Sequence, residues 1–298
     1  MGCVLGLALG NAAGAPFELR RARDIPTPIR VLELPWAGGP PGSTTDDTAM
    51  ARNLVRSLCE REAFDPDDLV ARHAEWFRAG PAGVGTLTRL VLERVIRGER
   101  ARQAARAVWE TRGPEVSAGN GSVMYCAPLG VAYANRPAEL VELAPLLSSL
   151  THHDERCRTA CLAVTLIAAA LVRGDPPEQS LREAATSLLD REGGEELEYL
   201  IDAAGRNRPV DGPDSGFCLY TAALGLQATL VDERYEDAIR RMISLGGDTD
   251  TNAAVAGALV GARDGDAGIP RGWLERLHHG DAIRAEAEGL VALAEGTA

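Results

Sequence analysis

Cysteine is scarce and scattered. Six cysteines in 298 residues (Cys3, Cys59, Cys126, Cys157, Cys161 and Cys218) form no CxxC pair and no cluster with histidine. That spacing argues against zinc and dithiol-redox sites and fits a chain kept reduced in a cytoplasm. Cys157 and Cys161 share one helical face and read as packing residues. Long apolar runs are missing as well: the longest, Ala160 to Val172, is too short to span a bilayer and is interrupted by Thr165, so it reads as a buried helix. The apolar N-terminus lacks a basic n-region, and Gly6 stands where a myristoylation signal calls for Ser or Thr; no targeting peptide or lipid anchor is expected. Basic charge is in deficit, with 31 Lys and Arg against 43 Asp and Glu for a net charge of −12. Most of such a surface repels nucleic acid and anionic membranes, and a phosphate-bearing ligand needs local help from cations or helix N-termini. The arginines at 20, 21 and 23 and at 52, 56 and 61 read as solvated faces.

Alternating stretches rich in Val, Ile and Tyr are nearly absent, whereas apolar residues recur at helical spacing through most of the chain. The fold class expected is all-α, a single compact bundle, because only short loops such as Pro35 to Ser43 and Val210 to Gly216 separate the periodic segments. Helices are expected at Asp46–Glu62, Pro66–Ala79, Thr86–Glu110 with a break near Gly98, Pro137–Ser149 and Asp154–Val172. Further helices are expected at Pro177–Asp190, Glu195–Arg206, Phe217–Leu230, Glu233–Ser244, Thr249–Arg263 and Ala282–Glu295. Four segments rich in Gly and Asp interrupt this pattern: Gly10 to Glu18, Gly42 to Thr48, Ser117 to Pro128 and Gly246 to Asn252. Each is expected just before an apolar helix, where unpaired N–H groups suit carboxylates and phosphates.

Two of these segments pair carboxylates with hydroxyls: Thr45-Asp46-Asp47-Thr48, and Gly247-Asp248-Thr249-Asp250-Thr251 about two hundred residues later. One reading is N-capping, in which Asp and Thr oxygens accept from the first helical amides. Capping uses one acid per helix and leaves the second repelling the first, so a hard cation such as Mg²⁺, Mn²⁺ or Ca²⁺ between them is the other reading. In Ser117-Ala118-Gly119-Asn120-Gly121-Ser122, small residues let backbone amides approach an anion, although a plain loop fits the same residues. The turn ending Gly83-Val84-Gly85 has the same two readings. In Thr151-His152-His153-Asp154, one imidazole can orient a ligand or serve packing, while Asp154 caps the next helix.

In this order, GLALGNAAGAPFE, STTDDTAM, SAGNGSVMYCAPLG, THHDERC and SLGGDTDTNAAVAGALVGA resemble the ADP-ribosylglycohydrolase family over nearly the whole chain. The resemblance implies an orthogonal helical bundle whose central cleft holds two divalent cations, Mg²⁺ or Mn²⁺. It implies that Thr45, Asp46, Asp47, Asp248, Asp250 and Thr251 are the metal ligands and that Glu18, Asp47 and Asp248 carry the catalysis. It places Gly83, Val84, Gly85, Ser117, Gly119, Asn120, Gly121, Tyr125 and His152 around the substrate. The substrate so implied is an ADP-ribosylated protein, on arginine; the alternatives are a small ADP-ribosyl or N-ribosyl metabolite, or a member that binds ADP-ribose without turnover. Three positions depart from the family pattern. The turn at Gly83 lacks the Asp that many relatives carry, Tyr125 replaces an Arg, and Asn11 stands where Asp is frequent.

Overall fold

The structure, a computed structural model, describes residues 1–176, 194–204, 210–231 and 233–296, together with 179 and 182. In chain order its helices are α1 (Gly2–Gly14), α2 (Asp46–Arg61), α3 (Pro66–Arg78), α4 (Thr86–Ile96), α5 (Ala101–Arg112), α6 (Ala127–Ala132) and α7 (Pro137–Ser149). They continue with α8 (Glu155–Arg173), α9 (Gly194–Ala204), α10 (Cys218–Leu230), α11 (Tyr235–Ser244), α12 (Thr249–Asp264), α13 (Arg271–Leu274) and α14 (Gly280–Gly296). Among the described residues the only sheet is two residues long, β1 (Arg20–Arg21) antiparallel to β2 (Gly246–Gly247). The all-α expectation holds. The expected break at Gly98 is a left-handed residue (φ 98°) between α4 and α5, a conformation that costs glycine nothing. The helix expected over Pro177 to Asp190 falls, but for 179 and 182, outside the described residues.

One expectation needs correcting. The Gly10 to Glu18 segment does not precede a helix: Gly10 to Gly14 closes α1, a 3₁₀ turn at Ala15–Phe17 follows, and Glu18 comes next. Helix α1 itself has no polar face, since all thirteen of its residues are buried. A helix apolar all round carries no amphipathic period to read, and glycine at four of its positions lowers its intrinsic propensity further.

Those glycines explain its place. Gly2, Gly6, Gly10 and Gly14 recur every fourth residue, so they form one stripe along α1. A Cβ built on each would collide with the α12 region: with the carbonyl oxygen of Gly261, of Gly257, of Ala253 and of Thr249 in turn. The two antiparallel backbones therefore meet directly, and Gly257 and Gly261 supply the same clearance from the other side. Tyr235 of α11 locks the seam by donating its buried hydroxyl to the Gly6 carbonyl at 2.6 Å. Around this pair lie the apolar faces of α2, where Met50, Leu54 and Leu58 are fully buried, and of α8, where Cys157, Cys161, Val164 and Ala168 are. All six cysteines are free thiols and all but Cys59 are buried. Among the described residues no helix is long and apolar enough to cross a membrane.

Gly6→Ala tests the seam. Alanine favours a helix over glycine by about 1 kcal/mol, yet the overlap with Gly257 should reverse the sign and cost about 1–3 kcal/mol. Denaturant unfolding measures it, and an unchanged or raised stability would contradict the direct backbone contact.

Candidate active site

The glycine seam carries the start of α12 to the start of α2. Asp46 and Asp47 open α2, and Asp248 and Asp250 open α12. The two starts touch through Thr45, whose hydroxyl lies 2.9 Å from Asp47 Oδ2 and 3.1 Å from Asp250 Oδ2. Glu18 joins them by a different route. Leu19 N–H donates to the Gly247 carbonyl at 2.7 Å, and the β1–β2 pairing holds this loop beside Asp248. Carboxylate oxygens of Glu18, Asp248 and Asp250 consequently come within 4.8 Å of one another.

The capping reading can now be weighed. Asp65 and Asp154 are ordinary N-caps whose carboxylates accept from the amides of Asp67 and Asp68, and of Arg156. Neither Thr45 nor Asp248, at the N-cap positions of α2 and α12, makes such a side-chain bond. The Thr45 hydroxyl turns to Asp47 and Asp250 instead, and Asp248 Oδ2 accepts from the Asn120 amide. Asp47 and Asp250 are almost wholly buried, and the Oδ1 atom of each has no hydrogen-bond partner. No arginine is hydrogen-bonded to or paired with Asp46, Asp47, Asp248 or Asp250 among the described residues. An unpaired buried carboxylate is expensive, and here several share one place. An oxygen-only donor set with unsatisfied buried acceptors fits a hard cation.

The protonation behaviour follows from the same crowding. Burial, reinforced by Asp46 and Asp248, pushes Asp47 well above the carboxylate range. Burial, with Asp47, Asp248 and Glu18, does the same to Asp250. Asp46 is pushed up to about 7 by burial, against a lowering bond from the Gly85 amide; Glu18 is raised by burial and by Asp248. The folded chain thus holds protons that the unfolded chain would release near pH 4.

The acids form one side of a cleft of about 720 Å³, within the range of small-molecule sites of about 300–1,000 Å³. Gly83 and Gly85 line it, and the Gly85 amide donates to Asp46 Oδ2 at 3.3 Å. Gly119, Asn120 and Gly121 line it as well. The Asn120 side chain donates to Asp248 Oδ2 at 2.8 Å and to Thr221 at 3.0 Å, so it braces an acid as well as facing the cleft. His152 also reaches the cleft. Its Nδ1 meets the Thr151 hydroxyl at 2.9 Å, and burial lowers its pKa to about 4, which keeps the imidazole neutral at pH 7.

Three expected contact residues stand elsewhere. Val84 is not among the cleft-lining residues. Ser117 is buried, with its hydroxyl donating to the Gly113 carbonyl at 2.6 Å. Tyr125 is fully buried in the core, its ring edge-on to His73 at 5.2 Å; the tight turn from Asn120 to Met124 presents Met124 to the cleft instead. Conversely, the sequence reading passed over Trp36, Arg156, Phe217 and Tyr220, which all line the cleft. Phe217 and Tyr220 pack edge to face at 4.8 Å, with the Arg156 guanidinium 5.8 Å above Phe217. Trp36 and Phe217 adjoin loops read as plain connections, and only their aromatic character beside Gly and Pro hinted at a ligand.

The family model for ADP-ribosylglycohydrolase matches residues 1–298. This chain belongs to the ADP-ribosylglycohydrolase family. It is similar to the ADP-ribosyl-[dinitrogen reductase] glycohydrolase of Rhodospirillum rubrum, at 30% identity over 99% of this chain and 96% of that one. It is similar to the ADP-ribosylhydrolase ARH3 of Homo sapiens, at 30% identity over 91% of this chain and 87% of that one. A solved ADP-ribosylglycohydrolase-related protein complex superposes with a TM-score of 0.79 and 32% identity over 98% of this chain and 96% of the other. Members of this family are glycosidic-bond hydrolases.

Because the cluster is protonated more readily folded than unfolded, the stability of cation-free protein should fall as pH rises from about 5 to 8. Millimolar Mg²⁺ or Mn²⁺ should raise the melting temperature at pH 8 by more than at pH 5. Scanning calorimetry across that range checks both signs, and an equal cation effect at the two pH values would contradict the electrostatic account.

Proposed function

We propose that this chain hydrolyses the C1″ glycosidic bond of an ADP-ribosyl group, and that its substrate is a protein ADP-ribosylated on arginine. The observation that carries the reading is the meeting of two distant acidic helix starts in a cleft that glycine-rich backbone and an aromatic pair also line. The ligand set is Thr45, Asp46, Asp47, Asp248, Asp250 and Thr251, taking two divalent cations, Mg²⁺ or Mn²⁺. When bound, the cations supply Lewis-acid polarisation of water and of the sugar hydroxyls.

The chain's own groups account for the remaining chemistry. The Phe217 ring, with Tyr220 edge-on to it, offers an aromatic face suited to a purine ring, and Gly119 lets a diphosphate approach the backbone. Asp46, Asp47, Asp248 and Asp250 concentrate negative charge where the ribose ring becomes cationic as the C1″ bond breaks. Glu18 is the exposed acid of the group, so water and a leaving group can both reach it. With its proton affinity raised by burial and by Asp248, it suits general acid and base work. Water's oxygen bonds to C1″, the bonding pair leaves with the nitrogen, and Glu18, with Asp47 and Asp248 adjoining, moves the proton from water to that nitrogen. Arginine is favoured as the leaving group by the likeness to the ADP-ribosylarginine hydrolase Tri1 of Pseudomonas putida, at 27% identity over 97% of this chain. A protein-borne substrate also accords with the Rhodospirillum rubrum relative, named for its action on ADP-ribosyl-dinitrogen reductase.

Mass-spectrometric analysis of products from arginine-, serine- and nucleobase-linked ADP-ribose and from small conjugates, with and without Mn²⁺, tests the reading. The wild type should release ADP-ribose from arginine peptides only with the cation, and Asp248→Ala should lose on the order of 10²–10³-fold of that rate. Full activity in Asp248→Ala would overturn the site; release only from a small conjugate would overturn the substrate.

A further inference from the structure

We propose that Asn11 is a positioning residue that sets the direction of the Thr45 hydroxyl and thereby tunes how tightly the acidic cluster holds its cations. Asn11 lies on α1, is fully buried, and uses its side chain entirely on the start of α2. Its Oδ1 accepts from the Thr45 backbone N–H at 2.7 Å and from the Thr48 hydroxyl at 2.9 Å. The backbone N–H can only donate, so the amide has one orientation: turned over, Nδ2 would face that donor. Its Nδ2 therefore donates to Thr45 Oγ1, at 2.7 Å.

That bond has a consequence at the cluster. A threonine hydroxyl has one proton and two lone pairs. Asn11 occupies one lone pair, so the proton is free to point at Asp47 Oδ2 (2.9 Å) or Asp250 Oδ2 (3.1 Å). One proton shared between carboxylates of α2 and α12 ties the two starts together and relieves part of their repulsion before any cation arrives. The same arrangement leaves a single lone pair of Thr45 for a cation.

Asn11→Asp isolates this role, because the shape and the acceptor for Thr45 N–H and Thr48 are kept while the donor becomes an acceptor. The Thr45 proton is then drawn to residue 11 and its lone pairs turn to the cluster. Isothermal titration with Mn²⁺ and cation-free melting, on the full chain, read the effect. Asn11→Asp should tighten Mn²⁺ binding by about tenfold or more, the low end of the effect of outer partners on a metal site, and lower the cation-free melting temperature. Asn11→Ala removes the anchor and should weaken both. A purely structural asparagine would move stability and affinity in the same direction in both variants, so unchanged or weaker binding in Asn11→Asp overturns the proposal.

Should Asn11→Asp fail to fold without cations, selective ¹⁵N-asparagine labelling of the wild type gives a second readout. The Asn11 side-chain amide should exchange slowly and shift on Mg²⁺ addition, and a signal indifferent to Mg²⁺ overturns the proposal. The inference rests on the cation-site reading above: wild-type protein that binds no Mn²⁺ fails that reading, whereas normal wild-type binding with an indifferent Asn11→Asp fails this one alone.

Discussion

Like charges held together out of water repel, and what forces Asp46, Asp47, Asp248 and Asp250 into one place is the backbone-to-backbone seam between α1 and α12. No side chain stands between these helices at Gly2, Gly6, Gly10 or Gly14, so α12 has little freedom to back away from the cluster at its N-terminus. The packing enthalpy of a close-fitted seam holds an arrangement that electrostatics alone would disperse. The cluster is thus built as a site with stored repulsion, which a pair of hard cations would discharge.

Around that constraint the loops have separate tasks. The β1–β2 pairing fixes Glu18 beside Asp248, Asn120 braces Asp248 from the far side, and the Gly85 amide steadies Asp46. Each brace comes from a different stretch of chain, so the geometry of the acids is set by tertiary packing and not by either helix alone. The neutral His152 and the Phe217–Tyr220 pair, with Arg156 over Phe217, then furnish the remaining lining. Such a lining, with buried acids and an aromatic pair in one cleft, suits a ligand that carries its reactive sugar at one end and a planar base at the other.

The sequence made the helix class and the acidic pairs legible, because amphipathic periodicity and doubled carboxylates at a helix start are local patterns. It could not disclose α1, whose burial on all sides erases periodicity, nor the reason for its glycines, which lies in contacts with residues some 250 positions away. Tyr125 illustrates the limit at single-residue scale. Its neighbours 119 to 121 reach the cleft, but one tight turn sends Met124 outward and Tyr125 into the core against His73, and turn geometry is not written in residue type alone. Capping and metal ligation were indistinguishable by spacing; that Thr45 and Asp248 make no cap bond is visible only once side-chain directions are known.

The central claim is that the converging acids are a cation site. Crystals grown with Mn²⁺ and measured at the manganese absorption edge test it most directly. Two anomalous peaks bonded to oxygens of Asp46, Asp47, Asp248 and Asp250 are the predicted result; a map with no peak at these carboxylates, under saturating Mn²⁺ at pH 8, would contradict the account.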